Sequence, residues 1–360
     1  MLKLGLFRKL SISSARRLGL VGFVLAAVTW FWLKPLFQTA QKADHQPLTS
    51  PNNFSIDSAN QLAFQELTIP YLRNRPYSSS LKELKPLAKT QTYASYLTSY
   101  DSDGSKVDGL LTKPEGDQPE KGWPAVVFVH GYIPPTSYKT QEKYLEYVHA
   151  LANSGLVVFK IDLRGHGNSE GTPSGSYYSA GYVIDTLNAI AALETTDFVD
   201  KTKIGLWGHS MAGNIVLRSF AAKPQIPAVV IWAGAGFSYA DLKKYGLNDN
   251  SYRPPQPSNA PVSDRQRLFS IHGQFDPNNE FWRQVTPVNY LQDLKGAIQL
   301  HHAINDPVVN SGYSQDLAEA LNKTAIPHEL FTYQTGGHNI TGDNFTKAMQ
   351  RTVEFYQKYL

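Results

Sequence analysis

Three residues of different types stand where acyl-transfer chemistry could use them: Ser210, Asp306 and His338. Ser210 lies in Gly208-His209-Ser210-Met211-Ala212-Gly213, after the apolar run Ile204-Gly205-Leu206-Trp207 and before a helical pattern from Asn214 to Ala222. A strand, a sharp turn carrying a serine and then a helix form a nucleophile elbow, which lifts the hydroxyl clear of the sheet. The first amides of the following helix then face the space above that hydroxyl and favour negative charge there. The second glycine expected of such a turn is Ala212 in this chain.

A serine hydroxyl needs a base, and the base needs an acid to orient it. Of ten histidines, His338 follows the last expected strand in Gly336-Gly337-His338. The acid is expected after the preceding strand, where Ile298 to Ile304 leads into Asn305-Asp306-Pro307. Asp276 also follows an apolar stretch, but choosing it would leave the strand 298–304 with no role before the base. The oxyanion of a tetrahedral intermediate needs two backbone donors. One is the Met211 amide; the other is assigned to Tyr132, in the loop His130-Gly131-Tyr132-Ile133-Pro134-Pro135, with Gly131 as the alternative. His130 and His209 read as loop-bracing residues. Adjacent His301 and His302 face opposite sides of a strand and cannot chelate together. No H-E-x-x-H spacing occurs, so no metal or other cofactor is expected. Asp162-Leu163-Arg164-Gly165-His166-Gly167 lacks phosphate-loop spacing and reads as a tight loop with Asp162 paired to Arg164.

The elements that must position these groups alternate. Buried strands are expected at Ala125–Val129, Leu156–Ile161, Ile204–Trp207, Ala228–Trp232, Ile298–Ile304 and Glu329–Tyr333. Amphipathic helices are expected at 138–153, 178–193, 211–222, 314–322 and 344–359. Apolar strands alternating with helices predict an α/β fold, a mostly parallel sheet covered on both faces, with ligands at the carboxyl ends of its strands. A hairpin, Thr92–Thr98 and Lys106–Thr112, precedes it. Residues 233–296 interrupt the alternation and are rich in Pro, Asn and aromatic residues. This stretch is expected to be an inserted lid, with Phe237, Phe281 and Trp282 as its substrate contacts.

Composition narrows the function classes. The 360 residues include no cysteine, which excludes disulfides and a thiol nucleophile. The formal charge of +4 is uneven: residues 1–43 hold seven Lys/Arg and no acid, and removing them leaves 27 basic against 30 acidic residues. With no basic cluster beyond that stretch, nucleic-acid binding is set aside. Leu18 to Leu33 is uncharged and apolar, about 24 Å as a helix, and reaches spanning length when 35–37 are added. Residues 1–37 therefore read as a basic N-terminus with a single-pass membrane anchor and the catalytic domain outside the cytoplasm. A cleaved signal, giving a secreted or periplasmic protein, is the alternative. Residues 38–90 read as linker and N-terminal extension, and 91–360 as the catalytic domain.

Taken together, His130-Gly131-Tyr132, Asp162-x-Arg164-Gly165-x-Gly167-x-Ser169, Gly208-x-Ser210, Asp306 and Gly337-His338 resemble the α/β-hydrolase superfamily. Within it the chain is similar to bacterial hydrolases with prolyl-oligopeptidase-type catalytic domains, over roughly residues 90–360. The resemblance implies serine-hydrolase chemistry on a peptide or carboxylic ester through an acyl-enzyme. The residues before 90 cannot form the β-propeller that restricts true oligopeptidases to short peptides. An adjacent acidic pair of the kind dipeptidyl peptidases use is also missing, so a carboxylesterase remains an alternative. So do an acyltransferase and, from another class, a non-catalytic membrane-tethered binding protein.

Overall fold

The computed structural model describes residues 63–246 and 263–360. The expected membrane segment and part of the expected lid, 247–262, lie outside the described residues. Among the described residues, no helix is long and apolar enough to cross a membrane.

Nine strands form one sheet: β1 (Lys85–Lys89), β2 (Tyr93–Ser102), β3 (Ser105–Pro114), β4 (Trp123–Val129), β5 (Val157–Ile161), β6 (Val199–His209), β7 (Ala228–Trp232), β8 (Ala297–Ala303) and β9 (His328–Tyr333). Their order is β1-β2-β3-β5-β4-β6-β7-β8-β9. From β5 to β9 every pairing is parallel, whereas β1, β2 and β3 join antiparallel. Alternation along β4 sends Ala125, Val127 and Val129 into one core and Val126 and Phe128 into the other. Both faces are therefore apolar, as a parallel sheet sandwiched between helices requires.

Nine helices accompany the sheet among the described residues: α1 (Ile69–Asn74), α2 (Leu145–Ala152), α3 (Gly181–Glu194), α4 (Ala212–Ala222), α5 (Tyr239–Tyr245), α6 (Asp264–His272), α7 (Glu280–Val285), α8 (Gly312–Leu321) and α9 (Asp343–Tyr359). Helices α3, α4 and α8 pack on one face; α2 and α9 pack on the other. On α9 the Tyr356 hydroxyl donates to the Leu206 carbonyl (2.7 Å), and the Trp232 indole donates to Thr352 (3.2 Å). These bonds tie the helix that follows His338 to β6, which leads into Ser210, and to its neighbour β7.

Two expectations change here. The helix expected over 138–153 begins only at Leu145, because Tyr144 has φ 60° and breaks the helical path. Residues 63–89, read as an extension, pack into the body: Leu67, Ile69 and Leu72 are buried, and the Arg73 guanidinium donates to the Ala221 carbonyl (2.7 Å) on α4. Their elements are too short to show a period.

Candidate active site

Parallel strands deliver their carboxyl ends to one edge, and the chemistry-bearing residues follow those ends. His130 follows β4, Asp162 follows β5, Ser210 follows β6, Asp306 lies just beyond β8 and His338 just beyond β9. Non-glycine residues with positive φ concentrate at the same edge: Leu163, Ser210, Ala233 and Ile340. Each such conformation costs of order 1–3 kcal/mol and persists only where surrounding contacts over-determine it.

The elbow shows how. Ser210 has φ 57°, its amide donates to the Trp232 carbonyl (2.9 Å), and its carbonyl accepts from Gly213 (2.9 Å). A Cβ at Gly208 would lie 2.8 Å from the Ala212 carbonyl oxygen and 2.9 Å from a Val216 methyl, so only glycine fits there. The Ala212 methyl, in the place of the second glycine, is accommodated in the core with no exposure. Met211 stands at the N-cap position of α4, with helical dihedrals and no side-chain capping bond.

The residues expected as acid and base lie together. The His338 Nδ1 lies 2.8 Å from Asp306 Oδ2; the carboxylate is fully buried, while the imidazole keeps 19% of its surface. Asp306 Oδ1 accepts the amides of Val308 (2.8 Å) and Val309 (3.0 Å). His302 approaches Oδ2 at 3.3 Å. Burial alone would push this carboxyl up, but the bonds from His302, His338 and the Val309 amide outweigh it and hold Asp306 below the ordinary carboxylate range. Asp276 sits instead in a turn after α6, where its carboxylate accepts the Asn278 amide (2.8 Å).

Ser210 and His338 line one cleft of about 630 Å³, together with Tyr132, Lys143, Tyr144, Glu146, Tyr147 and Phe345. No hydrogen bond joins the Ser210 hydroxyl to another described residue; in unliganded enzymes such bonds are often long and tighten on substrate binding. The other nearby imidazoles are occupied. Burial and the neighbouring His166 push His130 down to about 3, and its Nε2 bonds the Asp162 carbonyl (3.1 Å). Burial and the neighbouring His338 push His209 down to about 3, with both ring nitrogens bonded, to Tyr144 (2.7 Å) and to the His338 carbonyl (2.9 Å).

The three expected aromatic contacts lie elsewhere. Phe237 is fully buried against Tyr313. Trp282 is fully buried too, its indole donating to the His272 carbonyl (3.2 Å). Phe281 stacks on His272 at 3.6 Å, beside a second groove lined by Tyr71, Arg75 and Glu280. The described part of 233–296 forms three α-helices and a 3-10 helix, buries Phe237 and Trp282 with Phe281 partly exposed, and does not line the Ser210 cleft. The expected Asp162–Arg164 pair is also replaced. Arg164 forks onto Asp185 of α3 (2.6 and 3.0 Å), and Asp162 faces Lys160 (3.9 Å). His302, Tyr144 and Tyr147 were not singled out by any motif. They are found only because the fold brings their strand and helix to this edge. Among the described residues, no group of three or more His, Asp or Glu side chains is placed to hold a metal ion.

Comparison with known proteins adds chemistry to this geometry. The model of the serine aminopeptidase S33 family matches residues 122–248, and that of the BAAT / acyl-CoA thioester hydrolase C-terminal family matches 187–358. Human dipeptidyl peptidase 8 is 26% identical over 246 residues, covering 61% of this chain and 27% of that protein. The chain thus spans about a quarter of that relative's length. A puromycin-hydrolysing peptidase of Mycobacterium tuberculosis superposes with a TM-score of 0.58 at 22% identity, over 76% of this chain and 40% of that one. An acetyl xylan esterase of Paenibacillus sp. R4 does so with a TM-score of 0.53 at 19% identity, over 87% and 97%. The chain has an α/β-hydrolase fold, and the families and proteins it is similar to are hydrolases of the peptidase, esterase and thioester-hydrolase kinds.

Proposed function

We propose that Ser210, His338 and Asp306 act as nucleophile, base and orienting acid in the hydrolysis of a peptide or carboxylic ester bond. The observation that carries this reading is the 2.8 Å bond from His338 to a buried Asp306, with His338 and Ser210 on one cleft. His338 takes the Ser210 proton as the oxygen attacks the substrate carbonyl. The oxyanion that forms is held by the amides of Met211 and Tyr132. Gly131, the other candidate donor in that loop, already gives its amide hydrogen to the Tyr144 hydroxyl (3.0 Å). His338 then returns the proton to the leaving group. The acyl-enzyme is released by a water that His338 deprotonates.

A carboxylic ester is favoured over a peptide bearing a free amino terminus by the cleft itself. Glu146 is the one carboxylate among its described lining residues, so no pair of carboxylates waits there for an ammonium group. A fluorophosphonate probe should label wild-type protein at Ser210. Ser210→Ala should lower kcat on p-nitrophenyl acetate by at least about 10⁴-fold. Retained turnover would remove Ser210 as the nucleophile, and an unlabelled serine without turnover would leave a binding protein on this fold. Running peptide amides beside the esters separates the two substrate classes.

A further inference from the structure

The loop that carries the base and the loop that carries the oxyanion donor follow different strands, β9 and β4, yet a chain of hydrogen bonds runs between them. The Gly131 amide lies 3.0 Å from the Tyr144 hydroxyl, that hydroxyl 2.7 Å from His209 Nδ1, and His209 Nε2 2.9 Å from the His338 carbonyl. The direction of every bond follows from chemistry. A carbonyl oxygen only accepts, so His209 carries its proton on Nε2. In a neutral imidazole Nδ1 is then an acceptor, so the Tyr144 hydroxyl donates to it. The Tyr144 oxygen is left to accept the Gly131 N–H. All three bonds therefore run without conflict, and burial keeps the His209 ring in its neutral form.

We propose that Tyr144 and His209 are positioning residues: a hydrogen-bonded strut that sets the His338 loop at a fixed distance from the Gly131–Tyr132 loop. This rests on the proposed roles of Ser210, His338 and Tyr132. Three further observations support it. Tyr144 occupies the left-handed region at φ 60°, rare for a bulky residue, and that conformation aims its ring inward just before α2 begins. A Cβ at position 131 would lie 2.7 Å from the Tyr144 hydroxyl and 3.0 Å from His209 Nδ1, so the strut requires glycine there. From the same helix, the Tyr147 hydroxyl donates to the Asn339 carbonyl (3.0 Å), a second tie to the residue next to the base. Neither Tyr144 nor His209 needs to touch the reacting atoms for this role. His209 already has both nitrogens engaged, and its ring stands 4.6 Å from that of His338.

Tyr144→Phe tests the strut, because the ring can keep its packing on Phe128 and Trp207 while the hydroxyl is lost. His209→Gln is the second variant and serves if the first does not fold; urea unfolding monitors both. The strut predicts that each folded variant loses about tenfold to a hundredfold in kcat on p-nitrophenyl acetate. KM should change little, and fluorophosphonate labelling of Ser210 should slow by the same factor. The double variant should lose no more than the worse single one, since the strut acts as a unit. Labelling and kcat at wild-type levels in folded variants, or losses that multiply in the double variant, would overturn it. An unlabelled wild-type Ser210 would instead remove the triad reading on which the strut rests, so the two failures are distinguishable.

Discussion

Asp306 and Asp162 invite comparison, since both follow strands at the carboxyl edge of the sheet and both carboxylates are fully buried. Their proton affinities move in opposite directions. Asp306 is held below the ordinary range, whereas Asp162 is pushed up to about 6. Burial acts the same way on both; what differs is the set of donors. Asp306 sits in a turn whose backbone folds back on it, with the Val308 and Val309 amides aimed at Oδ1 and two imidazoles at Oδ2. Asp162 relies on side-chain hydroxyls, Tyr138 at 2.6 Å and Thr140, with the Lys160 ammonium 3.9 Å away. Burial also drives Lys160 down to about 8, so both members of that pair resist ionisation. Amides fixed by the backbone stabilise a carboxylate without any side chain having to be ordered. The comparison separates a carboxylate held ionised beside the proposed base from one that holds a loop.

The largest expected effect belongs to Asp306→Asn. Losing the charge removes the acceptor that keeps the His338 proton on Nδ1, and kcat on p-nitrophenyl acetate should fall by about 10⁴-fold. A fall of less than about tenfold would place Asp306 with Asp162 among structural groups and break the comparison.

Asp162→Asn should leave turnover nearly intact and act on stability instead. It strands the Lys160 ammonium in the interior, and at pH 7 urea unfolding should report a loss of about 3 kcal/mol. The pH dependence sharpens this. The folded Asp162 has a higher pKa than the unfolded one, so between about pH 4 and 6 the native state holds the extra proton. This group therefore makes the wild type less stable as pH rises through that window, by at most about 1.4 kcal/mol per pH unit. The Asn variant should lack that slope. Asp306 contributes with the opposite sign, because its folded pKa is depressed: its stabilisation is present above the ordinary carboxylate range and is lost as the pH falls below it. An Asp162→Asn profile parallel to wild type between pH 4 and 6 would refute the raised pKa.

What could be read from the sequence divides along a similar line. Ser210, Asp306 and His338 are legible because each follows an apolar strand in an order that one topology explains. Arg164 is not. Its partner Asp185 lies within α3, among Val183, Ile184 and Leu187, and nothing in the sequence marks a buried acid facing the loop that leads into its own helix. His302 is not legible either: the alternation of β8 tells only that it and His301 face opposite sides, not that its face meets Asp306. Phe281 and Trp282 show what composition leaves out. An aromatic-rich insertion reads as a lid, but Asn279 caps a short helix there and its rings close a local core. Local chemistry survives translation into sequence motifs; pairings set by how elements cross do not.

The smallest effect tests the weaker side of the comparison. Tyr138 donates to Asp162 Oδ1 and accepts from Lys160 Nζ (2.9 Å), so Tyr138→Phe removes one bond from each member of the pair while its ring can keep its stack on His130 at 4.4 Å. Urea unfolding at pH 7 should show a loss of about 2 kcal/mol, the cost of removing a hydrogen bond to a charged group. Asp162, with one donor fewer, should be pushed further up, so the decline of stability with rising pH should extend beyond pH 6. Turnover should stay near wild type, because the loop from His130 to Tyr132 is still tied through Tyr144 and His209 on its other side. If Tyr138→Phe instead lowered kcat as much as Tyr144→Phe, the Lys160–Asp162 cluster would also be setting the oxyanion loop. Asp162 would then be a positioning group, and the line drawn between the two carboxylates would have to move.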